Sequence, residues 1–392
     1  MGGVQLPIVQ APMVGAGGVD LAAAVAAAGG LGSLPCATLD AAAVQQQHAE
    51  VQARTSATTP VNLNFFCHTQ LADDTQAAAE QAAWGAAVAA LYQELGLEAP
   101  SDTSASAGGG RAPFSEAACE AVEAVQPAVV SFHFGLPDAS LLQRVHASGA
   151  TVMASATTVE EARWLEQQGC DVIIAQGAEA GGHRGVFLAH DATTACLHGA
   201  QSGTFALLPQ VVDAVSVPVI AAGGISDGRG IAAALALGAA GVQLGTAYML
   251  CRESTASAMH REALAEAGEG ATVITNVFTG RPARGLRNRA VDELGPCAAA
   301  APTFPGAATL MAPLRSQAEA AGSAAFSPLW AGQAAPIAAA AAAAAAVAGT
   351  DAAPSGGGGG GCSAGALTAW LAKDAARHLR RAADTAAVFQ HE

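Results

Sequence analysis

Pro218-Val-Ile-Ala-Ala-Gly-Gly-Ile-Ser-Asp227 and Gly241-Val-Gln-Leu-Gly-Thr246 are two short apolar runs that reach glycine and lead into helical sequence. Glycine lets backbone approach a phosphate, and the helix N-termini that follow offer unpaired N–H donors with a favourable dipole. A phosphate therefore fits both loops without a lysine. Gly223, Gly224, Gln243, Leu244, Gly245 and Thr246 form the candidate cradle; the competing explanation is that these glycines only make tight turns. In a doubly wound nucleotide-binding sheet the phosphate glycines follow the first strand as G-x-G-x-x-G. Here the first apolar run ends in Ala11-Pro12-Met13, and the phosphate-like loops come last. Phosphate loops after the final two strands are the arrangement of an α/β (β/α)8 TIM barrel.

Working outward, apolar runs at 8–13, 30–34, 61–66, 129–134, 151–155 and 171–176 precede those at 218–222 and 241–245. Helical stretches are expected at 20–28, 74–95, 115–125, 138–147, 159–168, 209–215, 228–237 and 255–267. The runs are continuous rather than alternating, as expected of strands covered on both faces. An open doubly wound sheet shares this βα alternation and is the alternative architecture. The barrel is expected to occupy 1–270, with 271–335 folding back over its mouth. Residues 100–112 read as a flexible excursion and 188–205 as a longer loop or lid. An Ala/Gly insert at 336–366, which includes Gly356–Gly361, reads as low-complexity sequence unable to build a core. Residues 367–392 read as a docking helix, with Leu367, Trp370, Leu371 and Leu379 on one side.

Hydrophobic residues make up 52% of the 392 and charged residues 12%, which suits small side chains packed between helices and a buried sheet. The formal charge of −15 disfavours nucleic acid and anionic membranes as partners, the basic cluster Arg377, Arg380 and Arg381 notwithstanding. The alanine-rich stretch is too short and too weakly hydrophobic to span a bilayer. Eight cysteines without C-x-x-C or metal-ligand spacing predict reduced, mostly buried thiols and no metal site. Without a basic N-terminal segment or signal-peptide core, a cytoplasmic protein is expected.

Gln176-Gly-Ala-Glu-Ala-Gly-Gly-His183 brings an imidazole to the end of the sixth strand on unusually bare backbone, while the Gln176 amide suits a heterocycle edge. A lone histidine is usually a surface or satisfied core residue, but the flanking glycines and neighbouring phosphate loops make His183 a catalytic candidate. Asn62 and Asn64 share one face of the third strand, where buried amides need partners or a ligand. His133, in Ser131-Phe-His-Phe-Gly135, has two readings, substrate contact and structural hydrogen bonding.

Together with Gln10-Ala-Pro-Met13, Asn62-Leu-Asn-Phe-Phe66, Asn276-Val-Phe-Thr-Gly-Arg-Pro-Ala-Arg284 and Phe326-Ser-Pro-Leu-Trp-Ala-Gly-Gln333, these motifs resemble the nitronate monooxygenase family. The resemblance covers nearly all of 8–333 and resumes at 367–382. It implies non-covalent FMN, with Asn64 and Gln176 near the isoalloxazine, Gly181 beside it, Met13 at the site, and Gly224 with 243–246 around the phosphate. His183 matches the family's catalytic base. The implied reaction converts a nitronate, or a nitroalkane, and O2 into a carbonyl compound and nitrite, in a monomer or homodimer. The departures from the pattern are the Ala/Gly insert and residues 300–302; deletion of 341–361 should leave flavin binding and turnover nearly intact. The alternatives are an NAD(P)H-dependent flavin reductase of the enoyl-acyl-carrier-protein or quinone type, and a barrel that only binds a phosphorylated ligand.

Overall fold

The barrel strands are β1 (Ile8–Gln10), β2 (Gly32–Pro35), β3 (Val61–Phe66), β4 (Val129–His133), β5 (Thr151–Ala156), β6 (Val172–Gln176), β8 (Val219–Ala222) and β9 (Gly241–Leu244). The two-residue β7 (Gly182–His183) lies outside the barrel. This computed structural model describes residues 3–69, 74–100, 111–188, 202–349 and 361–386. The strands run parallel in the order β1-β9-β8-β6-β5-β4-β3-β2. A parallel bridge between Val9 and Leu31 joins β1 to β2, so the sheet closes into a TIM barrel as its loop order predicts. The helices between the strands fall within a few residues of expectation, except that Thr204–Ala214 starts earlier and Ala41–Arg54 was not foreseen. The expected excursion at 100–112 and lid at 188–205 lie largely outside the described residues.

Strand periodicity sorts the apolar residues into two cores. Val172 and Ile174 of β6 join Val129, Met153, Ile220 and Ala222 in the barrel interior, while Ile173 and Ala175 face the helical layer. The same alternation aims Asn64 and Phe66 of β3, Ser131 and His133 of β4, Ser155 of β5, Gln176 of β6 and Gln243 of β9 inward near the C-terminal mouth. Close packing fixes the first unit. A Cβ on Gly32 would meet the Ala22 carbonyl oxygen at 2.1 Å, so β2 lies against helix Val19–Ala27 through bare backbone.

Residues from 271 onward supply β10 (Thr272–Thr275) and β11 (Ala283–Leu286), which pair antiparallel; β11 also pairs with β7, matching Ala283 to His183. A second core joins helix Asp74–Glu94 to helix Ala307–Ala320. There the Trp84 indole donates to the Ala307 carbonyl at 3.2 Å and the Tyr92 hydroxyl to that of Leu310 at 2.7 Å.

The alanine tract departs from its reading as an insert without a core. Ala335–Ala348 is a helix whose Ala335, Ala338, Ala341, Ala342 and Ala345 are buried. Alanine has the highest helix propensity, Pro336 occupies the first turn where its missing N–H costs nothing, and methyl groups permit close helix approach. The C-terminal helix spans Ala364–Ala386, beginning before Leu367 because the Ser363 hydroxyl accepts from the Ala366 N–H. Ala338→Asp puts an unpaired carboxylate at a position with 0% exposure. Thermal denaturation should show a loss of about 3 kcal/mol or more, whereas the same change at Val347, 89% exposed, should be near neutral. The cysteines depart in one place. Among the described residues six are free thiols, five of them buried, but Cys297 is disulfide-bonded.

Candidate active site

The His183 loop is held from below by side chains that satisfy its backbone. Gln176 uses both ends of its amide: Nε2 donates to the His183 carbonyl at 3.0 Å, and Oε1 accepts from the Gly185 N–H at 2.8 Å. Arg184, with 0% exposure, donates to the carbonyls of Gly177 at 2.6 Å and Gln176 at 3.0 Å. Arg284 donates to that of Ala178 at 2.8 Å. Glu179 accepts from the Thr204 N–H and hydroxyl, tying the loop to the next helix. Buried charge-assisted bonds of this kind fix a loop more firmly than turn chemistry alone.

His183 places Nε2 at 2.9 Å from the Thr279 hydroxyl. His133 sits beneath it; its Nε2 donates to the His183 carbonyl at 3.2 Å, leaving Nδ1 to accept from the Ser155 hydroxyl at 2.9 Å. Both ring nitrogens of His133 are thus engaged within the protein. A third imidazole, His68, packs edge-on at 4.8 Å from Phe304. Phe66, Phe134, Phe304 and Trp330 wall His183, with ring centroids 5.4 to 6.4 Å away. The Arg281 guanidinium lies 3.9 Å from the Phe134 centroid and donates to the Val186 carbonyl. Phe134 adopts a left-handed backbone conformation, φ 72°, ahead of Gly135 at 93°. That strained turn ends β4 and presents the ring to the box.

Burial, reinforced by Arg111, His133, Arg281 and His68, holds His183 well below the ordinary histidine range. Burial and then Arg281 push His133 down to about 3 and His68 to about 4. No carboxylate is among the groups that shift these three rings. All three are neutral at pH 7. Because their folded values lie below the unfolded value near 6.5, the unfolded chain takes up protons first as pH falls. Their contribution to stability is complete above about pH 6.5 and is lost below it, at up to about 1.4 kcal/mol per pH unit for each ring. Urea midpoints at pH 7.5, 6 and 5 should fall steeply through this window; an unchanged midpoint would contradict the depressed values.

On the neighbouring strand, which pairs with β6, Gly223 and Gly224 follow β8 with φ of 106° and 71°. A Cβ on Gly223 would meet the Ala180 nitrogen at 2.9 Å, so that position also needs glycine for space. Gly224 is exposed, while the Gln243 Oε1 is buried without a hydrogen-bond partner. A Cβ on Gly245 would lie 3.5 Å from the Met13 sulfur, which places Met13 at the cradle. The Thr246 hydroxyl accepts from the Gly332 N–H at 3.0 Å, and Gln333 donates through its backbone to the Glu179 carbonyl at 2.9 Å. Bare backbone at Gly181 makes room for this crossing strand, since a Cβ there would meet Ala331 and Gly332 at 2.6 Å.

Asn64 donates to the Ser131 hydroxyl at 2.9 Å on the inward face. The Leu244 side chain, by contrast, lies in the outer core, and its carbonyl accepts from Ala11. One expectation is corrected. The helix after β8, Gly228–Ala236, has no open donors at residues 228–230, because Asp227 caps Arg229 and Gly230 and the Asp374 carboxylate accepts from Gly228 at 2.9 Å. A phosphate here must use the glycine loop ahead of that helix. Sequence reading gave no role to His68, Thr279, Arg281, Phe304 or Trp330. Thr279 and Arg281 stand inside a quoted motif, and His68 lies just past the end of β3; nothing local marks Phe304.

The nitronate monooxygenase family profile matches residues 1–349. The chain belongs to the nitronate monooxygenase family. It is 41% identical over 340 residues to the nitronate monooxygenase of Pseudomonas aeruginosa, covering 86% of this chain and 92% of that one. It is 36% identical over 330 residues to a probable nitronate monooxygenase of Staphylococcus saprophyticus, covering 84% and 89%. Among solved structures, nitroalkane oxidase from Streptomyces ansochromogenes superposes with a TM-score of 0.81 at 36% identity, covering 97% of this chain and 98% of that one. FabK from Thermotoga maritima, at 23% identity, TM-score 0.66 and coverage of 98% and 96%, shares the fold alone. This nitronate monooxygenase family member is thus an oxidoreductase built on a TIM barrel. Among the described residues no helix is long and apolar enough to cross a membrane, and no group of side chains could hold a metal ion.

Proposed function

We propose that this family member binds FMN and oxidises alkyl nitronates, and neutral nitroalkanes after deprotonation, with O2 to a carbonyl compound and nitrite. FMN fits the residues present. The unpartnered Gln243 Oε1 calls for a donor, Gly223 and Gly224 bare their backbone as a phosphate needs, and among the described residues no separate nucleotide-binding unit serves an adenosine half. Met13, Asn64, Gln176, Gly181 and Gln243 would face the ring system, and Gly223, Gly224 and the backbone of residues 244–246 the phosphate. When bound, FMN supplies the electron acceptor for the substrate and the donor to O2.

The observation that carries this reading is a neutral imidazole in an aromatic box, with no carboxylate among the described residues that shift it. The Thr279 hydroxyl lies 3.5 Å from the Arg281 carbonyl as its donor, so its oxygen accepts from His183 Nε2–H. His183 Nδ1 then keeps its lone pair for a substrate proton; this tautomer follows from the hydrogen-bond network. Arg281 and Arg111 favour the anion that forms as the carbon loses its proton. The aromatic walls exclude water and leave the substrate's apolar part in contact with Phe66, Phe134 and Phe304.

The deciding experiment is anaerobic stopped-flow mixing of purified protein with an alkyl nitronate or with NAD(P)H, followed by heat release and chromatography of the flavin. The expected result is FMN, bleached rapidly by the nitronate and slowly by NAD(P)H. Rapid bleaching by NAD(P)H alone would assign a nicotinamide-dependent reductase, and FAD or no flavin would remove the cofactor assignment.

A further inference from the structure

Just past the short helix that follows Gly245, Cys251 places its sulfur 3.9 Å from that of Cys362. The two residues are 111 positions apart in the chain, and both are buried free thiols. Cys251 follows the short helix Thr246–Met249 that continues from Gly245, and Cys362 precedes the C-terminal helix Ala364–Ala386. Their backbones are already in register: Arg252 donates to the Cys362 carbonyl at 3.1 Å, and Ala364 donates to the Glu253 carboxylate at 2.9 Å. The Tyr248 and Thr368 hydroxyls meet at 2.8 Å along the same contact. Cys297 shows that this chain accommodates a disulfide elsewhere.

We propose that Cys251 and Cys362 form an oxidisable dithiol, closed to a disulfide by a peroxide, that staples the C-terminal helix to the phosphate end of the barrel. A sulfur–sulfur separation of 3.9 Å needs only side-chain adjustment to reach a bond of about 2.05 Å. The two thiols share a proton unequally. The hydrogen bond between the two sulfurs holds Cys251 well above the ordinary thiol range and is the main cause that lowers Cys362. Cys362 is therefore the nucleophile. Its thiolate attacks one peroxide oxygen, the O–O bond breaks, and hydroxide leaves a sulfenic acid on Cys362. The Cys251 sulfur then displaces the second oxygen as hydroxide, and its own proton completes water. Two thiols are oxidised, one peroxide is reduced, and two waters are released.

The staple closes a long loop whose ends are already packed, so its main effect falls on the unfolded chain. The test treats the full-length protein with a small excess of hydrogen peroxide and maps its peptides without reduction, beside C251S and C362S. The expected result is a Cys251–Cys362 cross-linked peptide in the wild type only, with Tm raised by about 3 °C or more. A dithiol reductant should reverse that rise by more than it changes C362S, whose response reports the Cys297 disulfide alone. Serine and thiol are close in size, and C362A is a second variant should C362S fold poorly. Oxidation of the other free thiols with this pair left reduced would overturn the proposal. So would a cross-link that leaves Tm at its reduced value.

Discussion

His183→Asn should lower turnover of neutral nitroalkanes by roughly 10²–10⁴-fold, the usual worth of a general base, while pre-formed nitronates lose less than about tenfold. A nitronate has already lost the proton that the imidazole would take. Flavin content should stay near wild type, because the loop is held by Gln176, Arg184 and Arg284 rather than by the His183 ring. The acid limb of the nitroalkane profile should lie well below pH 6.5, since burial and the flanking cations keep the ring neutral far into acid. Steady-state kinetics on both substrate forms across pH measure this directly. Equal losses on both forms, with flavin retained, would make His183 a binding residue.

Gly224→Val should strip the protein of flavin. The position has φ of 71°, and a Cβ there would already stand 3.3 Å from the Glu179 Cβ, so a β-branched side chain must strain the backbone and cover the open face of the loop. Strain of about 1–3 kcal/mol at such a site weakens the fold as a whole, so the loss of flavin beyond that of a strain-matched control reports exclusion from the cradle. Gly149→Val is the control. Its φ is 88°, with nothing within 4 Å of a Cβ, so it carries comparable strain without touching the cradle. Flavin absorbance relative to protein in the two purified variants gives the comparison; full occupancy in Gly224→Val would move the phosphate elsewhere.

The eight strands were legible because each is a short apolar run, and the period of two along them is a property of consecutive residues. From that alone Asn64, His133, Gln176 and Gln243 can be assigned to one interior. The glycine pair after β8 was legible because only glycine combines a positive φ with contact at the Ala180 nitrogen. Composition misled at the alanine tract, where low complexity hid a packed helix. Alanine methyls form a core face only when a second helix approaches closely, and no local pattern announces that partner.

Sequence by itself determined the closed barrel, the loops at its mouth and the histidine on the sixth strand's loop, all of which follow from local spacing. Only tertiary structure decided what surrounds that histidine. Thr279 reaches His183 across 96 residues, Phe304 and Trp330 arrive from the C-terminal segment, and Asp374 takes the Gly228 donor across 146. Such contacts depend on how distant elements pack once the barrel has closed. That information resides in the shape of the folded surface and not in the order of neighbouring residues.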